Sequence, residues 1–293
     1  MALIVPFQGI LYNQKKVGDI RRVIAPPYDV ISPEAQNSFY RRHPQNVIRL
    51  ILNKETPEDN PQNNRYTRSA AHYRTWLEEG TLVRSRAPQF YFLQEEFDAS
   101  LSLPTDGGLP ATRKVRRGFI GLIRLEEFGT GVVLPHEKTQ TKPKADRLAL
   151  MEACQANFSQ IFSLYSDEDG AMAPIYEKVF SSPEGPAIDV TDDDGIRHRL
   201  WMVSDPQIIG KITEIMKPKK KSTLQTDITA MKPLWPTESD SLPAFPTARG
   251  RESYHFTMMY LAAMEDEGLL ILSTHRVVVG VEKFQASSFM EKT

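Results

Sequence analysis

The chain has 293 residues, with 36 Lys+Arg against 37 Asp+Glu and a net charge of −1. That balance offers no extended basic surface for nucleic acid or an anionic membrane, although a local patch stays open. Its single cysteine, Cys154, excludes an internal disulfide framework and a multi-cysteine zinc site. No apolar run approaches the ~20 residues of a membrane span, and Met1–Phe7 lacks the basic and apolar regions of a secretory signal. The expectation is a cytoplasmic globular protein with no membrane partner, long enough for about two domains.

Adjacent Pro26 and Pro27 fix φ and remove two backbone donors, so Val23–Pro33 reads as an extended or turning loop. Ser32-Pro33-Glu34 is an N-cap, a proline at the first helical position and a first-turn acid, which predicts a helix to about Arg42. Val47–Leu52 is rich in β-branched residues and is expected to be a strand. Tyr66, Ala70, Tyr73 and Leu77 recur at helical spacing over Arg65–Gly80, with Gly80 as the stop. Gln89–Phe97 and Arg113–Leu125 read as the two arms of a hairpin around Asp106-Gly107-Gly108. Asp146-Arg147 is expected to open a helix through Cys154, with the cysteine on its apolar face.

Ile188–Val190 and His198–Val203 flank Asp192-Asp193-Asp194-Gly195 as a second hairpin. Ser204-Asp205-Pro206 caps a helix through Met216. Glu252–Met264 begins a strand whose antiparallel partner is expected over Gly268–Val279. Hairpins outnumber βαβ units, so the fold class is α+β: mixed, largely antiparallel sheets with flanking helices. The division read from the sequence is an N-terminal α+β region over 1–126, a second region over 127–281 and a polar tail over 282–293. The second region contains an aberrant segment at 222–247.

Ser222–Met231 fits neither structural period, and Lys232–Asp240 reads as linker. A surface loop of some twenty residues is uncommon in compact domains.

The chain closely resembles the family called domain of unknown function 1015, over nearly all of residues 3–280. The carriers are Pro6-Phe7, Ile24–Ser32, Asn46–Leu50, Val133–Glu137, Lys144–Leu148, Ala156–Phe162, Met258–Tyr260 and Leu270–Arg276. Family members also carry a hallmark close to ADGHHRYETAL, which this chain lacks. Reading the codons from the last base of Lys221, permitted choices give VYIADGHHRYETALAYRER. The single codons of Met231 and Trp235 force Glu and Ala at their junctions with the next residues, and that Glu is the motif's own. We therefore expect a compensated pair of frameshifts, one near Lys221 and one near Ser241. The tail from Glu282 to Thr293 is unlike the family and is expected to reflect truncation.

His136-Glu137 can supply an acid/base pair or ligate a cation, or the imidazole can simply satisfy a local hydrogen bond. Lys138, Thr139, Lys142, Lys144 and Arg147 form a cluster that can hold a phosphate, or a solvated basic face. No Gly-x-x-x-x-Gly-Lys-Ser/Thr loop occurs. The Pro26-Pro27-Tyr28 lead presents Asp29 rigidly beside a ligand, although the prolines alone also explain a switch between elements. Asn157 and Ser159 read as turn residues that the family shares, and His275-Arg276 closes a strand facing the same cleft. His43, His72, His198 and His255 read as structural, and Cys154 has no base nearby in sequence.

The hallmark Asp-Gly-His-His-Arg resembles the phosphate-site signature of the partition-protein and sulfiredoxin superfamily, in which some members bind nucleotides and some phosphorylate free serine. What that resemblance implies is nucleotide-dependent phosphoryl transfer to a small hydroxyl metabolite such as serine. The cofactor is then ATP or ADP with Mg, and this chain, lacking the hallmark, is expected to be inactive. Asp29, His136 and Glu137 become the catalytic candidates. Lys138, Thr139, Lys144, Arg147, Asn157, His275 and Arg276 become the phosphate and nucleotide contacts. The competing class is a non-catalytic nucleotide- or DNA-binding regulatory module of partition-protein type. Oligomeric state and metal ligands are not readable from the sequence.

Overall fold

A computed structural model describes residues 3–99, 113–124, 134–135, 141–217, 225–226 and 256–269. In chain order the strands are β1 (Ile4–Val5), β2 (Ile10–Tyr12), β3 (Leu82–Arg84), β4 (Phe90–Asp98), β5 (Arg113–Arg124), β6 (Leu134–Pro135), β7 (Ile161–Tyr165), β8 (Ile188–Thr191), β9 (Arg197–Val203), β10 (Gln225–Thr226) and β11 (Phe256–Ala263). The helices are α1 (Gln14–Val17), α2 (Pro33–Arg42), α3 (Ile48–Ile51), α4 (Arg65–Glu78), α5 (Thr141–Cys154), α6 (Ala173–Phe180) and α7 (Pro206–Met216). Single 3-10 turns cover Ile20–Arg22 and Tyr28–Val30.

The described strands form one large mixed sheet in the order β6-β10-β7-β11-β5-β4-β9-β8, with β1 on β5, and a separate β2-β3 pair. Most neighbours are antiparallel; β11 with β7 and β10 with β6 are parallel. The class is α+β. Strand β5 lies at the centre, paired with β11 along one edge and with β4 and then β1 along the other. Alternate residues of β4, β5, β7, β9 and β11 face α6 and α7. There Phe92, Phe119, Tyr165, Trp201, Met259 and Leu261 close a core with Tyr176, Ile212 and Met216.

Gly118 and Gly121 on β5 allow close approach: a Cβ on Gly118 would lie 2.4 Å from the Tyr260 ring, and one on Gly121 2.8 Å from Phe90. A second cluster, of Leu50, Ile51, Tyr73, Trp76 and Leu82, joins α3, α4 and β3.

Local chemistry explains the element ends. Ser32 caps α2 through Ala35 N at 3.2 Å, with Pro33 at the first position. Asn64 and Thr67 form a reciprocal capping box on α4. Gly80, at φ +70°, takes the left-handed conformation just past that helix. Asp205 caps α7 through Gln207 N at 2.8 Å. The β4–β5 and β8–β9 pairings match the expected hairpins.

Two expectations are corrected. Val47–Leu52 is not a strand: Ile48–Ile51 is the short helix α3, with Ile51 N bonded to Val47 O at 3.0 Å and Leu52 N to Ile48 O at 3.0 Å. The buried Asn46 side chain accepts from Ile48 N at 3.0 Å and starts that turn, so burial on several sides outweighs β propensity. Helix α5 opens at Thr141, five residues before Asp146, with Pro143 tolerated in its first turn. The expected strand at Gly268–Val279 lies, from residue 270 on, outside the described residues, as does the turn at 106–108.

His198 was expected to be structural without a partner in view. It sits between two carboxylates, with Nε2 2.8 Å from Asp192 Oδ2 and Nδ1 3.3 Å from Glu95 Oε1. Burial alone would lower its pKa, but the hydrogen bonds to Glu95 and Asp192 win and raise it above 6.5. The stability from this imidazolium is complete below pH 6.5 and is lost as pH rises through the folded value. Urea unfolding between pH 5.5 and 8.5 should show that loss in the native chain. His198→Gln should be about 1–2 kcal/mol less stable at pH 5.5, with the decline on the alkaline side flattened.

Candidate functional site

Three of the quoted sequence stretches meet in the described structure although more than a hundred residues separate the first from the last. The buried Asn46 carboxamide donates to Arg22 O at 2.8 Å and Ile24 O at 3.0 Å, and Val47 N donates to Val23 O at 2.7 Å. These bonds anchor the start of the Pro26-Pro27-Tyr28-Asp29 loop to α3. The middle of the loop is held by α5: the Arg147 guanidinium lies over the Tyr28 ring, 3.8 Å from its centroid. Arg147 Nη1 also donates to Ile51 O at 2.9 Å, satisfying a carbonyl at the end of α3.

Asp146 is the hub of this arrangement. Its Oδ1 accepts from Arg65 Nη2 at 2.6 Å and Tyr66 OH at 2.9 Å. Its Oδ2 accepts from Arg147 Nε at 2.8 Å and also from Nη2. Burial alone would raise its carboxyl pKa, but the Arg147, Tyr66 and Arg65 donors hold it below the ordinary value. Arg65 Nη1 reaches on to the exposed Glu55 at 3.0 Å. A small recess lies here, where Arg65, Tyr66, Asp146 and Arg147 meet the apolar side chains of Leu50, Ile51 and Leu150.

The sequence candidates distribute unevenly. Asp29 is exposed in the 3-10 turn beside Tyr28. Arg147 is mostly buried, and its bonds to Asp146 and Ile51 make it a clamp on the loop more than a free phosphate donor. Asn157 accepts from Ser159 N at 3.0 Å, the turn role. Neighbouring Phe158 packs edge-on to Tyr73. Lys144 lies within α5. His136, Glu137, Lys138, Thr139, His275 and Arg276 lie outside the described residues. Cys154 is buried, and burial pushes its thiol up to about 11, which fits an inert side chain. Sequence reasoning missed Arg65 and Tyr66; both sit at the N-terminus of a helix read only for its apolar stripe.

Strand register places the described ends of two further stretches, at Leu134–Pro135 and Ile161–Phe162. β10 runs parallel to β6, with Gln225 opposite Leu134 and Thr226 opposite Pro135. β10 also runs antiparallel to β7, with Thr226 opposite Ser163. The chain therefore leaves β6 and β10 at the same end of the sheet at which it enters β7 after Asn157–Gln160. Five residues, 136–140, join β6 to α5. Among the described residues no group of three His, Cys, Asp or Glu side chains could hold a metal ion. No described helix is long and apolar enough to cross a membrane.

The class of protein is thus an α+β chain in which three of these stretches meet around the Pro26–Asp29 loop and helix α5. It belongs to the family described as protein of unknown function (DUF1015), whose model matches residues 4–293. That span includes both the 222–247 segment and the tail. No curated protein and no solved structure matches the chain.

Asp146→Ala should leave two largely buried guanidinium groups without their shared carboxylate. We expect about 2–3 kcal/mol of destabilisation by urea unfolding. Amide exchange should also accelerate over residues 24–31, where the Arg147 clamp acts. Asp146→Asn should fall between this variant and the native chain.

Proposed function

We propose that the family's site lies at the sheet end where β6 and β10 leave and β7 enters, and that it performs nucleotide-dependent phosphoryl transfer to a small hydroxyl metabolite such as serine. The observation that carries this reading is the parallel pairing of β6 with β10. In the shifted codon reading, the hallmark Asp bridges Gln225 and Thr226 and the Gly bridges Thr226 and Asp227. Gly-His-His-Arg then leaves the sheet next to the strand that leads into His136-Glu137. Ligands of mixed α/β sheets collect outside the carboxyl ends of neighbouring parallel strands. A Gly-led segment with His and Arg is suited to a phosphate.

In this reading His136, Glu137 and Asp29 are the acid/base candidates. Lys138, Thr139 and Lys144 supply charge and donors to the nucleotide phosphates, with Asn157, His275 and Arg276 as further contacts. Arg147 acts by holding the Tyr28–Asp29 turn. ATP or ADP would bring Mg with its phosphates, an ion that usually needs only one or two protein carboxylates and keeps several waters. Its chemical contribution is to neutralise charge on the transferring group.

The test begins with resequencing the codons of Lys217–Gly250 and expressing both the printed chain and a frame-restored chain. The restored chain should bind ATP or ADP and phosphorylate serine in a 31P NMR assay. The printed chain should be slower by about 100-fold or more, as expected when positioned donors to a developing charge are lost. A restored, folded chain that binds neither nucleotide overturns the reading.

A further inference from the structure

We propose that the β8–β9 hairpin is a proton-operated latch on the N-terminal segment Ile20–Ile24, set by His198 between Glu95 and Asp192 and passed on by Asp193 to Arg21 and Arg42. This inference does not rest on the phosphoryl-transfer reading. The segment it holds leads directly into the Pro26–Asp29 loop.

The hairpin touches two parts of the molecule. On the sheet side β9 pairs with β4, and His198 lies directly opposite Glu95. On the other side Ile188 and Val190 of β8 pack against the buried cluster of Val17, Ile20 and Val23. Gln14 Nε2 donates to Ala187 O at 2.8 Å, just before β8. At the turn between the strands, Asp193 accepts from Arg42 Nη2 at 2.5 Å and lies 3.4 Å from Arg21 Nε. One turn of the hairpin is thus bonded to His198 through Asp192 and to the N-terminal segment through Asp193.

Only an imidazolium donates from both ring nitrogens at once. When the proton leaves, one nitrogen turns a lone pair towards a carboxylate, and burial decides which partner is given up. The Glu95 side chain is 11% exposed, with Oε2 held by Arg116 Nε at 2.8 Å. The Asp192 side chain is 24% exposed. Water can replace a lost donor at Asp192, whereas a buried Glu95 oxygen would be left bare. The neutral ring therefore keeps its proton on Nδ1, towards Glu95, and releases Asp192. Asp192 Oδ1 accepts from Asp194 N at 3.0 Å and Ile196 N at 2.9 Å, so the turn moves with this residue and carries Asp193 along.

The charged and titratable groups around the latch come from each side. Glu95 on β4 faces the ring, with Arg116 on β5 and the Tyr260 hydroxyl on β11 acting on that carboxylate. Asp192 faces it from the turn, and Val190, opposite on β8, is apolar. The two carboxylates outweigh burial and raise the His198 pKa above 6.5. The latch is therefore closed below pH 6.5 and opens as pH rises through the raised value. The Arg42 bond holds the Asp193 carboxyl below its ordinary range, so that tie stays charged throughout. His43 follows Arg42 in sequence, but burial, Arg22 and Arg49 push its pKa below 6.5, on the acid side of this window.

The experiment follows the native chain from pH 6 to pH 8.5 by imidazole NMR and by amide exchange corrected for the intrinsic effect of pH. His198 should titrate with a midpoint above 6.5. Protection at Ile20–Ile24 and at Ile188–Thr191 should fall about three- to tenfold through that midpoint, since linkage allows tenfold for each pH unit by which His198 titrates above 6.5. His198→Gln, which is neutral at every pH, should show the lower protection throughout. Asp193→Asn, at an exposed turn position, should keep the His198 titration and lose the pH dependence at Ile20–Ile24. Constant protection at Ile20–Ile24 while His198 titrates overturns the proposal. So does a His198 midpoint at or below 6.5, or an Asp193→Asn chain whose Ile20–Ile24 protection keeps its full pH dependence. These measurements need neither nucleotide nor a restored frame, so their failure and that of the phosphoryl-transfer reading are told apart.

Discussion

The packing of β5 constrains the rest of the molecule. It is bonded along both edges and packed on both faces, and it accommodates this through Gly118 and Gly121. One glycine admits Tyr260 on one face, and the other admits Phe90 on the opposite face, against Ile4. The aromatic core beneath α6 and α7 depends on that approach, because Phe90, Phe92 and Phe119 pack ring to ring across β4 and β5. A methyl group at either glycine would force backbone or ring to move, and overpacking of this kind typically costs ~1–3 kcal/mol.

Long-range polar bonds do for the candidate site what the glycines do for the sheet. Asn46 fastens the start of the Pro26–Asp29 loop, and the Asp146–Arg147 pair fastens its middle. Each tie leaves no polar atom of its side chain to waste: the Asn46 amide bonds two carbonyls and its oxygen a backbone N–H, and Asp146 receives from three residues. Buried polar groups satisfied this fully fix one geometry where apolar contacts alone would tolerate several. The loop therefore presents Asp29 from a rigid base while Asp29 itself stays in solvent.

The sequence made visible whatever was decided locally. Helices α2, α4 and α7 announced themselves through Ser32, Gly80 and Asp205, whose effects reach only a turn away. The β4–β5 and β8–β9 hairpins were legible for the same reason. Val47–Leu52 misled because its β-branched residues are helical under tertiary burial and an Asn46 bond, neither of which periodicity reports. The role of Arg65 and Tyr66 was hidden for a similar reason: their partner, Asp146, lies 80 or more residues away. The candidate stretches themselves were found through family resemblance, and the structure added how three of them touch.

Strand β10 has only two residues, and it is held between β6 and β7 by its register with both. Main-chain ladders of this kind use N–H and C=O groups that every residue except proline carries in the same form. Such a slot accepts almost any pair of residues. A rewriting of the side chains from Ser222 to Asp240 would thus leave the frame of the sheet in place while erasing whatever chemistry left it at that point. Circular dichroism, melting temperature and solubility would register a sound protein either way. A well-folded chain is then evidence of an intact scaffold and does not report on the side chains that follow β10.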